Sequence, residues 1–255
     1  MRRAAHAIVG HGGGIADARC LEALPARSEL RESVDMDVVV EHRHAPAAEL
    51  HGPIDASAEV SVVVMHPHRP ALVLGSAQRG WVRPRQVEWP AEVDLVQRSS
   101  GGGAVFVDAT QSVWIDLVVS RAADVLPDDV VSSMVLAGQW WANALCACGA
   151  EGLVVHDAPL VPGRVPEVCF SGRGPGEVML GDRKLVGLSQ RRTRSTVRIQ
   201  GQFHVGDPTD VTHRLLGLAA PIDRDRPACW SLSGVNAPLL AGQVADALRR
   251  VIASA

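Results

Sequence analysis

A single lysine, Lys184, stands among 24 arginines in 255 residues. A GC-rich coding bias can replace lysine with arginine wherever positive charge alone matters. A lysine that survives such pressure is a candidate for work that needs a compact ammonium, not a planar guanidinium. Other absences exclude whole classes. No apolar run approaches the roughly 18 residues of a membrane span. The basic start Met1-Arg2-Arg3 precedes too short an apolar stretch for a secretory signal. A formal net charge of -3 gives no electrostatic reason for a nucleic-acid partner. Five cysteines, an odd number without a dense framework, read as reduced thiols of a cytoplasmic protein. A phosphate-binding P-loop needs Gly-Lys, yet the lysine follows Arg183. His11-Gly12-Gly13-Gly14 is the kind of loop that holds an oxyanion in hydrolases, but no Gly-x-Ser-x-Gly accompanies it.

What is present is the material of an ordinary globular core, with 47% apolar and 21% charged residues. Val60–Met65 and Ala71–Leu74 read as strands joined by His66-Pro67-His68-Arg69-Pro70. Asp94–Gln97 reads as a strand entering Arg98-Ser99-Ser100-Gly101-Gly102-Gly103, and Ala104–Val107 and Val113–Val119 as two more. Helical spacing of Val131, Met134, Val135, Trp141 and Leu145 predicts a helix from Asp128 to Cys148, started by Pro127 and stopped by Gly149. Prolines and glycines make Val161–Gly176 a loop. Glu177–Leu180 and Lys184–Ser189 form a hairpin around Gly181-Asp182. Val197–Val205 is a further strand and Gln243–Ile252 a closing helix. The expectation is one α+β domain over residues 58–255, a mixed, mostly antiparallel sheet covered by helices. Residues 1–57 read as an N-terminal extension, with a short helix at Ala16–Leu24.

Two segments carry chemistry. Three glycines after a strand allow close backbone approach, and their N–H groups can cradle a phosphate or carboxylate. Arg98 can add a bidentate contact to the same anion. In the hairpin, Lys184 can reach across a cleft as a point charge, and Gly187 leaves room at the strand surface. A mobile surface loop and a solvated turn lysine are the plain alternatives.

Taken together, Arg98-Ser99-Ser100-Gly101-Gly102-Gly103-Ala104-Val105-Phe106 with Asp108 resembles the glycine-rich signature of lipoate–protein ligases. Gly181-Asp182-Arg183-Lys184, then Gly187 and Ser189, resembles that family's lysine motif. Ala71–Gly75 with Gln78 resembles an upstream strand whose glutamine lies near the acyl tail. The resemblance spans Ala58 to Val205 and implies a biotin/lipoate ligase-like fold. In its ligase branch, ATP with Mg²⁺ and lipoate or octanoate give an acyl-adenylate, which a lysine of a lipoyl-domain carrier attacks. Carriers of this kind are the E2 subunits of 2-oxoacid dehydrogenases and the glycine cleavage H protein. Lys184 would stabilise charge between acyl carbonyl and α-phosphate, and the loop Ser99–Ala104 would hold the acyl-phosphate. The ligase reaction is the leading expectation.

Cys169-Phe170 resembles instead an octanoyltransferase branch that forms a thioester on cysteine, takes its acyl group from acyl carrier protein and needs no ATP. A nearby cation, Lys184 or Arg173, would favour the thiolate. Ser171-Gly172-Arg173 resembles the ligases at the same place. Val107 and Gln200-Gly201 stand where that family has histidines, which keeps a non-catalytic acyl- or carrier-binding protein open. No metal site is expected. The pairs His42/His44 and His66/His68 are expected to diverge across strands, and nothing completes a tetrahedral set. Cys146 and Cys148 diverge on a helix. Trp140-Trp141 reads as one core residue and one exposed neighbour.

Overall fold

The structure, a computed structural model, describes residues 36–255. The expected helix Ala16–Leu24 and the loop His11–Gly14 lie outside the described residues. The elements are β1 Val38–Ala45, α1 Ala47–Leu50, β2 Val60–Pro67, β3 Ala71–Leu74, β4 Asp94–Gln97, β5 Val105–Val107, β6 Ser112–Ser120 and α2 Val130–Ala147. They continue as β7 Leu153–Val155, β8 Val178–Leu180, β9 Arg183–Arg192, β10 Thr196–His204, α3 Thr209–Leu216 and α4 Ala237–Ala253.

Among the described residues ten strands make two sheets. A seven-stranded sheet runs β1-β2-β6-β10-β9-β8-β7, and a three-stranded one runs β4-β3-β5. The β1–β2 and β3–β4 pairs are parallel and the rest antiparallel, so the mixed, mostly antiparallel character holds. Alternation along each strand decides the layers. Val60, Val62 and Val64 with Val113, Ile115, Leu117 and Val119 face the helix layer of α2 and α4. Val63, Met65, Trp114 and Val118 face the small sheet and α1. The small sheet's far side, with Leu72, Leu74 and Phe106, packs on Leu215 and Leu216 of α3.

The chain ends its helices where local chemistry dictates. Asp129 caps α2 by accepting the Ser132 N–H at 2.8 Å, and Gly149 follows at φ 98°. Asn236 caps α4 by accepting the Leu239 N–H at 3.0 Å, which starts that helix six residues before the expected Gln243. Three expectations need correction. Residues 36–57 supply β1 and α1 to the same sheet and core as the residues after them. The run Glu41-His42-Arg43-His44 hid that strand. His42 and His44 share a face, as strand residues two apart must, and both rings stack on His66. Trp140 and Trp141 are both buried, because α2 packs against the sheet and also against α4, its neighbour in the helix layer.

Candidate active site

The glycine loop is built from below by Arg98. Delivered by β4, this side chain is buried and turns into the loop, donating to Gly101 O at 2.7 Å, Gly103 O at 2.8 Å and Val73 O at 3.4 Å. Its fork therefore holds the loop; the anticipated contact to a bound anion is not what it makes. Close packing explains the glycines. A Cβ on Gly75 would stand 1.7 Å from Gly102 O, one on Gly103 2.7 Å from Glu167 O, and Gly102 itself has φ 91°. Gln78 clamps the same junction, accepting the Gly75 N–H at 3.0 Å and donating to Glu167 O at 3.1 Å. Ala104 and Cys169 complete the stitch through Ala104 N to Glu167 O at 2.6 Å and Cys169 N to Ala104 O at 2.8 Å. Among the described residues, the amides of Gly101, Gly102 and Gly103 donate to no backbone carbonyl. Asp108 closes the turn before β6, accepting from Thr110 N and Oγ1 at 2.8 Å.

Lys184, at the start of β9, is only 5% exposed. It is no solvated turn lysine. Its ammonium donates to Cys169 O at 2.7 Å and pairs with both oxygens of Glu177 at 2.7 Å. Glu177 also accepts from Gly174 N at 2.5 Å and Leu188 N at 3.4 Å, so both oxygens are engaged. The Phe170 ring lies 5.6 Å from Nζ, and a Cβ on Gly187 would come within 3.2 Å of that ring. Gly187 thus leaves space for Phe170, which in turn sets Cys169 beside the lysine.

Cys169 stands between two spaces. One is an open cleft of about 640 Å³ that meets the glycine loop, Gln78, Lys184 and the mostly apolar wall of Val130, Met134, Leu160 and Val168. The other is a small inner pocket walled by Val105, Trp114, Phe170 and Leu188. Cys169 lines both, and a Cβ on Gly102 would lie 3.7 Å from its sulfur. Arg173 is exposed, its backbone paired with Val161 in the loop. Ser99 accepts from Arg191 at 2.5 Å on the exposed side. Ser100 donates to Gln200 at 2.8 Å and receives Ser189 at 3.1 Å, so Gln200 does the polar work at the position of the missing histidine. Val107 faces the apolar core.

Sequence reasoning missed Glu177 as the lysine's partner, and it missed a buried pair behind the site. Asp116 accepts from Arg198 Nε at 2.6 Å and from Trp114 Nε1 at 2.7 Å. Arg198 goes on to Leu50 O at 2.6 Å and Gly52 O at 2.5 Å, gripping both neighbours of His51. Burial pushes the Asp116 carboxyl up from its ordinary range, against the pull of Arg198. His51, set by this grip, is held neutral by burial and by Arg198 and Arg98, its pKa pushed down to about 3. His204 is buried too, and burial lowers it to about 4. The available signal was a charge inside each apolar run, Asp116 in Val113–Val119 and Arg198 beside Val197 and Ile199, since a buried charge demands a partner.

The family model for the lipoyl protein ligase A/B catalytic domain matches residues 46–231. The chain belongs to that family. No curated protein matches it in sequence. Solved structures share its fold at low identity. A T. acidophilum protein named as a lipoate protein ligase, with bound lipoic acid, superposes with TM-score 0.60 at 15% identity, covering 87% of this chain and 86% of the other. A lipoate-protein ligase A bound with ATP gives 0.59 at 16%, covering 86% and 85%. A bi-partite ligase from Thermoplasma acidophilum, studied with its E2 lipoyl domain, gives 0.57 at 16%, covering 86% and 83%. Family membership supports an enzyme of lipoate-ligase type. Among the described residues no helix is long and apolar enough to cross a membrane.

The family implies Mg²⁺ with ATP, and the cleft is a poor match for that pair. Magnesium bound to a nucleotide usually takes one or two protein carboxylates. Glu177 is the carboxylate among the cleft's lining residues, and Lys184 and two amides occupy it. Lys184 is likewise the cation among them.

Proposed function

We propose that the chain transfers a lipoyl or octanoyl group to a lysine of a lipoyl-domain carrier protein through a thioester on Cys169. The observation that carries this reading is the position of the thiol. It lies against the glycine loop with its uncommitted amides, on a residue whose backbone carbonyl the buried Lys184 holds, where the open cleft meets the inner pocket. A nucleophile next to N–H donors is what acyl transfer needs, since charge develops on the acyl oxygen as the sulfur attacks.

In the first step the Cys169 thiolate attacks the carbonyl of an acyl thioester. A carbon–sulfur bond forms to Cys169, the donor's carbon–sulfur bond breaks, and the donor thiolate leaves and takes up a proton. In the second step the neutral amine of the carrier lysine attacks, an amide forms, Cys169 leaves as thiolate, and the amine's spare proton passes to solvent. Lys184 contributes a fixed positive charge next to the Cys169 carbonyl, and Glu177 keeps its ammonium in place. The acyl chain runs along the apolar wall of the cleft with its far end directed to the inner pocket.

The runner-up is the ligase reaction through an acyl-adenylate. It draws support from the loop amides, which suit a phosphate equally well, and from the relative solved with ATP. The deciding experiment is acylation of a lipoyl domain by wild type and Cys169→Ala, comparing lipoate plus MgATP with octanoyl-carrier protein. Thioester chemistry predicts transfer without ATP, loss of at least about a hundredfold in the variant, and an acyl adduct on Cys169 by intact mass. ATP-dependent transfer that survives the substitution would replace this reading with the ligase.

A further inference from the structure

The inner pocket has one polar wall, and its hydrogen bonds determine where a proton sits. Gln200 Oε1 accepts from the Ser100 hydroxyl at 2.8 Å. Its amide nitrogen therefore faces His51 Nδ1, at 3.1 Å. Gln200 is the donor in this contact. His51 Nδ1 is then the acceptor, and its proton resides on Nε2. The imidazole is neutral, as burial and the charges of Arg198 and Arg98 require. Nε2–H is buried and, among the described residues, has no partner.

A buried donor without an acceptor is destabilising; Trp140 and Trp141 Nε1 are also unpaired, but of these residues His51 is the one that lines the inner pocket. His51 is not free to turn away from it. Arg198 grips the carbonyls of Leu50 and Gly52 on either side, and the ring stacks on Trp114 with centroids 4.5 Å apart. Both rings line the inner pocket. Gln200 pairs with Ser189, five residues beyond Lys184 on β9, so this donor belongs to the end of the site away from Lys184.

We propose that His51 determines acyl specificity, donating its Nε2–H to a hydrogen-bond acceptor on the far part of the acyl chain. The chain that fits is lipoyl, whose ring sulfurs are weak acceptors, in preference to octanoyl, whose saturated end offers none. The inference rests on the acyl-transfer reading and goes beyond it by naming the substrate. A saturated chain packs against the apolar wall equally well but leaves Nε2–H unpaired, and sites built to hydrogen-bond reject analogues that lack the partner.

The test sets lipoyl against octanoyl thioester in direct competition, with wild type and with His51→Phe, which keeps a ring against Trp114 and removes the N–H. Wild type is expected to favour lipoyl by about tenfold, equivalent to ~1.4 kcal/mol. His51→Phe is expected to bring the ratio close to one by slowing lipoyl transfer. A ratio unchanged by the substitution overturns the proposal. A second arm needs wild type alone: an 8-hydroxyoctanoyl thioester has an acceptor oxygen without the sulfur ring. It should be transferred faster than octanoyl, and a rate no faster than octanoyl overturns the role of the N–H. Should wild type transfer no acyl group at all, the acyl-transfer reading fails on its own. Thermal shifts by free lipoate and octanoate then judge His51 separately: a larger shift with lipoate, lost in His51→Phe, upholds it, and equal shifts reject it.

Discussion

Two buried ion pairs support the site, and they are built for different ends. Asp116–Arg198 lies within the large sheet, with 0% and 9% of the side chains exposed. Every arm of it is occupied: Trp114 donates to the carboxylate, and Arg198 reaches two backbone carbonyls across roughly 150 residues of chain. Lys184–Glu177 is almost as buried, at 3% and 6%, but its ammonium meets the open cleft and the Cys169 carbonyl. One pair joins α1 to the sheet; the other borders the cleft, where on the proposed reading it presents a charge to a substrate. Equal burial does not mean equal purpose, and the space each pair borders tells them apart.

Breaking each pair should separate these roles. Arg198→Met leaves a buried carboxylate without its partner and should cost about 3–5 kcal/mol, read as a lower urea midpoint, with activity following the folded fraction. Lys184→Met should remove activity by about a hundredfold or more per folded molecule, measured as acyl transfer to a lipoyl domain. Next in size is the double replacement Lys184→Met with Glu177→Leu. An apolar pair of similar volume is often neutral in stability. Stability should return to within about 1 kcal/mol of wild type while activity stays lost. Recovery of activity would show that Lys184 serves the fold alone.

The last effect is a slope with pH. His51 and His204 have folded pKa values of about 3 and about 4, below the ordinary 6.5. Between these values the unfolded chain binds more protons, so stability rises with pH and is lost as pH falls below 6.5. For His204 the loss reaches about 3 kcal/mol near pH 4. Urea midpoints measured from pH 7.5 to 4.5 should fall accordingly, and His51→Phe should flatten part of that fall.

Much of this was legible in the sequence wherever a pattern was local. The strand Ala71–Leu74 was read to the residue, and the glycine loop and Lys184 proved to line one cleft. What escaped is what depends on distant partners. Arg198 and Asp116 are 82 residues apart, and His51 and Gln200 are 149 apart. Their pairing is decided by which strands become neighbours, and periodicity within a segment cannot state that. Arg98 was misjudged for a related reason. A guanidinium beside a glycine loop can grip a ligand or the loop's own carbonyls, and only the path of the backbone shows that it grips the carbonyls. β1, β7 and α3 were missed because they are short or interrupted by charge.

The solitary lysine has a consequence for self-modification. A protein that carries an acyl thioester holds an electrophile, and any accessible amine nearby competes with the intended acceptor. Here the one side-chain amine of these 255 residues is buried and ion-paired, while arginine and histidine provide the other basic side chains. A guanidinium stays protonated at any physiological pH and is no match for an amine as a nucleophile. The described surface therefore offers no side-chain amine to the group it would deliver, and on the proposed reading the acyl chain's destination is a lysine that belongs to another protein.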